Sequence, residues 1–271
     1  MFPVPLAELR THAIERAERD LIAAGYRATT VRVAHVVLAA ALKDAVRLEL
    51  LPRNPCDAVE PPSGQARKPV TWDTGQMRRF LAHTDPEPYW GTVWAVLCEC
   101  WLRVGELQEL RWGDVDLVAG TIAISRTATR NRDGRDATDP TKTDGETRAI
   151  QISGPLAERL RRYRGGRTDD GHVFPAANGR RITRGMVAAM LAASCRSAGV
   201  PVLTPHQLRH SGGSVAHAAG ADYKRTSERL GHADIATTMR TYIHSKAAGH
   251  RQLANQMAAI LAPEGAENDL V

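Results

Sequence analysis

Residues 203–210 read Leu203-Thr204-Pro205-His206-Gln207-Leu208-Arg209-His210. Thr204 suits a helix N-cap, Pro205 the first helical position, and Gln207 stands three residues after the cap, the spacing of a reciprocal capping box. A helix over about 205–219 is expected, with His206 and Arg209 on one face of its first turn. A helix start offers unpaired N–H groups and partial positive charge, so His and Arg there outline a phosphate seat. Taken alone, the same eight residues also read as a surface turn with an ordinary cap.

Working outward, a helix over 222–231 ends at Leu230-Gly231-His232, with glycine in the C-terminal cap position. Ten residues beyond His232, Thr237-Thr238-Met239-Arg240-Thr241-Tyr242 carries a tyrosine. Upstream, one largely apolar helix is expected from about Pro88 to Arg111. It contains Trp101-Leu102-Arg103-Val104-Gly105-Glu106-Leu107, with Arg103 and Glu106 at i and i+3. Thr121–Arg126 and Arg148–Ile152 read as strands, and Thr127–Thr147 between them as a polar, basic loop holding Lys142. Further helices are expected over about 154–164, 183–198 and 247–262. Thr71 or Asp73 caps one through about His83.

The N-terminal part reads as a charged helix over 6–24 and a second from Thr29 or Thr30 to about Leu50. The second places Val33, Val37, Ala40, Ala41, Ala45 and Leu48 on one face. Pro52 and Asn54-Pro55 end it, and the proline-rich, basic stretch from Pro61 to Pro69 reads as an interdomain linker. The fold class expected is mainly α with a small β-sheet (α+β), in two domains.

Composition narrows the partners. The chain has 271 residues, 43% hydrophobic and 24% charged, with net charge +6, enough for a packed core. Its cations are 31 Arg and only 5 Lys; arginine grips phosphate bidentately, and a GC-rich genome also favours it. Residues 1–62 hold 8 basic and 8 acidic residues, and the tail 263–271 holds three acids and no base. The stretch 63–262 therefore carries 28 basic against 19 acidic residues, net +9, which points a polyanion to that block. Cys56, Cys98, Cys100 and Cys195 form no C-x-x-C pair, so neither a disulfide framework nor a zinc site is expected, and a reducing cytoplasm fits. Glu8 and Arg10 precede any apolar run, and the apolar stretch Tyr89–Leu102 is short and contains Glu99. No secretory leader and no membrane span are expected.

In order along the chain, Arg103, Lys142, His206-x-x-Arg209, Gly231-His232 and Tyr242 resemble the catalytic signature of the tyrosine recombinases, the phage-integrase family. Gly105-Glu106-Leu107 with Leu110-Arg111-Trp112-Gly113-Asp114-Val115-Asp116 is similar to the family's first arginine box, Thr204–His210 to its second, and Leu230–His244 to its third. The resemblance covers about residues 70–245. Residues 20–62 are similar to the second half of the family's helical core-binding (SAM-like) domain. The domains implied are a shortened core-binding domain over 1–62, a linker over 63–70, a catalytic domain over 71–262 and an acidic tail over 263–271. No arm-binding domain is expected within this length. Two positions depart from the pattern: Trp101 stands where the family usually has glycine, and Gln207 where it more often has Asp.

The resemblance implies site-specific DNA recombination with no metal and no cofactor. Tyr242 is the nucleophile, forming a 3′-phosphotyrosyl link. Arg103 and Arg209 clamp the phosphate, Lys142 is the acid for the leaving oxygen, His206 the base, and His232 orients phosphate or tyrosine. Glu106 supports the arginines; the competing reading is a solvated helix-surface Glu. Double-stranded DNA carrying a core recombination site is the partner, contacted through Arg126, Arg130, Arg132, Arg135, Arg180, Arg181 and Arg184. A homotetramer is the synaptic assembly, with room for DNA-bending or directionality factors. Leu253, Met257, Ile260 and Leu261 line one face of the last helix, which packs either on a neighbouring subunit or on its own core. Two readings stand beside the active recombinase: a decayed relative that binds DNA and recombines poorly, and a type IB topoisomerase.

Overall fold

The computed structural model describes residues 4–63, 70–131, 136–140, 148–167 and 170–231. The chain divides into two compact units, Met1–Pro69 and Val70–Val271. The fold is mainly helical, with small antiparallel sheets in the second unit.

In the first unit, a 3-10 turn at Leu6–Glu8 precedes α1 (Thr11–Ala23) and α2 (Ala28–Arg47). The first helix is thus shorter than expected. Arg27, rather than Thr29 or Thr30, is the N-cap of α2. The inward face of α2 also differs from expectation: Val31, His35, Leu42 and Ala45 are buried. Val33, Val37 and Leu48 are 64, 65 and 59% exposed. The helix is apolar nearly all round, so spacing alone does not choose a face. His35 helps to choose it, pairing through Nδ1 with Glu18 Oε1 of α1 at 2.7 Å. Asn54 folds the segment after α2 back by donating to the Ala39 carbonyl at 3.1 Å. Ile14, Leu42, Ala45, Leu51, Cys56 and Val59 then close a small core.

The second unit opens with α3 (Thr74–Thr84), capped by Asp73 in a reciprocal box with Gln76. The single helix expected over 88–111 is two: α4 (Trp90–Cys100) and α5 (Val104–Glu109). Trp101 takes left-handed backbone angles (φ 52°, ψ 40°) at the end of α4, which turns the chain before Arg103. α4 is the central element: Val93, Trp94, Val96, Leu97, Cys98 and Cys100 are all buried. α3, α6 (Gly154–Arg164) and α8 (Pro205–Ala218) pack against it.

β1 (Val115–Asp116), β2 (Thr121–Ile124) and β5 (Arg148–Gln151) form an antiparallel sheet in the order β1-β2-β5, with Ile122 opposite Ile150. The strand expected over 121–126 breaks at Ser125. From Arg126 the chain enters a separate hairpin, β3 (Arg126–Arg130) with β4 (Asp136–Pro140). Part of the expected loop is therefore a β-arm. Its threonines suit strand backbone, although the sequence there lacks apolar alternation. α7 (Arg184–Ser197) and α9 (Tyr223–Leu230) complete the described elements. The helix expected over 247–262 lies outside the described residues. Among the described residues, no helix is long and apolar enough to cross a membrane.

Candidate active site

Arg103 owes its place to the break after α4. It is the N-cap of α5, with extended backbone, and Glu106 reaches back to accept from the Arg103 backbone N–H at 2.7 Å. The i, i+3 pair is thus a helix-start bracket rather than two neighbours along a continuous helix. Gly105 lets α5 approach β3: a Cβ there would stand 2.5 Å from Thr127 Oγ1 and 3.1 Å from the Ala128 carbonyl oxygen.

α8 starts as the sequence suggests. Gln207 N–H donates to Thr204 Oγ1 at 3.2 Å, and Thr204 N–H to Gln207 Oε1 at 2.8 Å. This box fixes the first turn, so His206 opens towards a cleft of about 380 Å³ that Arg103, Thr127, Arg184 and Arg209 also line.

Glu106 is the hub. Its carboxylate, 1% exposed, accepts from Arg103 Nη1 at 3.0 Å and from Arg148 Nη1 and Nη2 at 3.0 and 2.9 Å. Arg209 Nη1 lies 3.9 Å from it. Burial alone would raise the Glu106 pKa. The Arg148 hydrogen bonds and charge, the Arg103 N–H and the Arg209 charge outweigh that and hold it below the usual carboxylate value. The reading of a solvated surface Glu is therefore set aside.

The same arginines meet the end of α9 from the other side. Arg148 Nε donates to the Arg229 carbonyl at 3.0 Å, Arg209 Nη2 to the Leu230 carbonyl, and Arg103 Nη2 to the Gly231 carbonyl at 2.9 Å. Gly231 makes this end possible with its left-handed φ of 62°. Three guanidiniums thus lie between one carboxylate and the carbonyl end of a helix, leaving an excess of positive charge beside the cleft. Fixed donors of this kind suit an oxyanion, and a phosphate in particular.

His206 adds a proton-handling group. Its Nε2 is 2.9 Å from His210 Nε2, with the rings edge to face at 4.4 Å. Partial burial first, then the charges of Arg209 and Arg103, lower its pKa below the ordinary 6.5. The imidazole is therefore neutral near pH 7 and able to accept a proton.

The structure thus brings together Arg103, Glu106, His206 and Arg209. Lys142, His232 and Tyr242 lie outside the described residues, as do Arg132 and Arg135. Of the other expected DNA contacts, Arg126 Nη2 pairs with Asp114 Oδ2 at 2.5 Å, and Arg181 Nη1 with Glu109 Oε1. Those two guanidiniums are engaged with carboxylates. Arg180 and Arg184 are exposed, and Arg130 lies in β3. Arg148 is the residue that sequence reasoning missed. An arginine opening a strand after a polar loop carries no local mark of burial, and its role shows only through Glu106. Among the described residues, no group of three or more His, Cys, Asp or Glu is arranged to hold a metal ion.

Residues 73–248 match the model of the phage integrase family, and the chain belongs to that family. It is 28% identical over 225 residues to a putative prophage phiRv2 integrase of Mycobacterium tuberculosis, across 80% of this chain and 59% of that protein. It is 24% identical to the ICEBs1 integrase of Bacillus subtilis, across 80% of this chain and 62% of that one. The matched region therefore spans about three-fifths of the length of these curated relatives. The fold is similar to that of the Tn1549 transposon integrase in complex with circular-intermediate DNA (TM-score 0.80, 20% identity, 94% of this chain and 87% of that one). It is also similar to a lambda integrase tetramer bound to a Holliday junction (TM-score 0.64, 17% identity, 89% and 66%).

Proposed function

We propose that the chain is a site-specific DNA recombinase, the integrase of a phage or other mobile element. The observation that carries this reading is the Glu106-anchored grouping of Arg103 and Arg209 beside His206 in one cleft. Double-stranded DNA with a core site is the substrate. Residues 71–262 act as the catalytic domain and residues 1–62 as a shortened core-binding domain. A homotetramer forms on two duplexes, as the lambda relative does on its junction, with DNA-bending or directionality factors as further partners. The work is done at bacterial DNA, in the cytoplasm.

In this mechanism Arg103 and Arg209 hold the non-bridging oxygens of the scissile phosphate. These oxygens gather negative charge in the pentavalent transition state, so fixed cations act most strongly there. Tyr242 Oη attacks phosphorus, forming the Oη–P bond as the P–O5′ bond breaks. The tyrosine proton passes to His206, and Lys142 gives a proton to the departing 5′ oxygen. His232 orients the phosphate or the tyrosine. A phenol with pKa about 10 is about one part in a thousand ionised at pH 7, a deficit of about 4 kcal/mol that the neighbouring cations and the base reduce. A 5′-hydroxyl of a second strand reverses the step.

The test is covalent capture. Nicked duplexes with randomised sequence are incubated with the chain, and protein–DNA adducts are recovered and sequenced. Wild type yields adducts on a recurring sequence, and Tyr242→Phe yields none. Duplex binding without any adduct would identify the binding-only relative instead. Exchange with a second duplex separates a recombinase from a topoisomerase.

A further inference from the structure

Trp101 is one of two non-glycine residues with positive φ among the described residues, the other being Glu49. A bulky residue stays in the left-handed region only where its surroundings hold it there. The backbone turn aims the Trp101 carbonyl at Arg209, whose Nη1 donates to it at 2.6 Å. The indole, 7% exposed, lies over Gly212 of α8, and a Cβ at 212 would fall against its Cδ1 and Nε1 atoms. Its other neighbours are Ala216 of α8 and residues of α9. Leu230 forms a buried cluster with it, flanked by Ala216 and Tyr223, and the Arg229 guanidinium sits 5.2 Å from the ring centroid. Arg229 is itself held by the Glu99 carbonyl, at 3.1 Å from Nε and 2.9 Å from Nη2.

A glycine would serve the turn after α4 without strain. The indole adds a wedge that grips α9 at Arg229 and Leu230, beside the carbonyls of Leu230 and Gly231 that receive Arg209 and Arg103. We propose that Trp101, seated in the space left by Gly212, is a positioning residue. It fixes the end of α9, and through that end and its own carbonyl it sets the donor geometry of Arg209 and Arg103. The inference rests on the recombinase reading and deepens it. Gly212 and Trp101 form a matched pair, in which bulk at one position requires its absence at the other.

The experiment uses the full chain and a nicked duplex obtained by covalent capture with wild type. Single-turnover adduct rates at saturating DNA, DNA affinity by fluorescence anisotropy, and melting are compared for wild type, W101F, W101G, G212A and W101G/G212A. W101G and G212A are expected to lose about 10- to 100-fold in adduct rate while affinity changes by less than about threefold, as misplaced donors affect the transition state most. W101F, which keeps an aromatic ring over Gly212, stays within about threefold of wild type. W101G/G212A reacts faster than G212A, because removing the indole makes room for the new Cβ. A W101G chain that cleaves like wild type overturns the inference. So does a double variant as slow as the two single losses multiplied, or a rate loss matched by an equal loss of affinity. If G212A does not fold, W101G against W101F decides. If wild type captures no duplex, the recombinase reading fails and this inference with it. Capture by wild type with an unaffected W101G overturns this inference alone.

Discussion

Glu106 and Arg148, 42 positions apart in the sequence, meet through two hydrogen bonds, 3.0 and 2.9 Å long, with both side chains buried. Paired forks of this kind fix angle as well as distance. Arg148 therefore orients the carboxylate that also receives Arg103. Replacing Arg148 by Met leaves Glu106 with less compensation in a buried setting. We expect a loss of about 3–5 kcal/mol in unfolding free energy, read by urea denaturation. A loss below about 1 kcal/mol would place the pair among those contributing little.

The pH dependence of stability follows from the lowered Glu106 pKa. A carboxyl whose pKa is lower folded than unfolded binds more protons in the unfolded state. Its contribution is therefore full above the unfolded value of 4.5 and is lost as pH falls through the folded value. The stability gap between wild type and E106Q should be widest at neutral pH and shrink below 4.5. Denaturation curves between pH 3 and 7 check this; a gap independent of pH would contradict it.

His206 gives the opposite sign to an ordinary protonated clamp. Its pKa lies below 6.5, so its base form predominates at neutral pH. The single-turnover adduct rate should be flat near pH 7 and fall as pH drops through that lowered value. His206→Gln should be slower and should lack this acid limb. A rate that rises on acidification would mean that the protonated imidazole is the working form.

Arg209 makes its contacts from a buried position, 2% exposed. Lysine cannot reach the Trp101 and Leu230 carbonyls and a phosphate with one planar fork. R209K should cleave about 10²- to 10³-fold more slowly while DNA affinity changes far less. Equal losses in rate and affinity would assign Arg209 to ground-state binding alone.

Gly105 should tolerate no side chain at its contact with β3. In G105A the new Cβ meets Thr127 Oγ1 and the Ala128 carbonyl, at a cost of about 1–3 kcal/mol of strain. Adding Thr127→Ala removes the nearer collision and should restore part of the stability. No recovery would mean that the backbone contact dominates.

Much of the site was legible because its marks are local. The box at Thr204 and the cap at Gly231 involve residues within four positions of one another, and the structure has both; of the two caps offered before α3, Thr71 and Asp73, it takes Asp73. The β-arm was less legible. The threonines and charges of β3 and β4 lack the apolar alternation that marks a strand. The break at Trp101 was hidden, since a run of apolar residues through Leu102 reads as continuous helix and a tryptophan in left-handed backbone has no sequence signature.

The sequence by itself determined where α8 begins and where α9 ends, and so the side on which His206 and Arg209 stand in the first turn of α8, because capping is decided by neighbours along the chain. The tertiary structure decided that Glu106 is buried among three arginines, that Arg148 belongs to the group, and that α2 turns Val31 and His35 inward rather than Val33 and Val37. It also decided that Trp101 faces Gly212. These are contacts across tens of positions or choices among equally apolar faces. Their energy comes from packing and desolvation in three dimensions, which leaves no period or spacing along the chain.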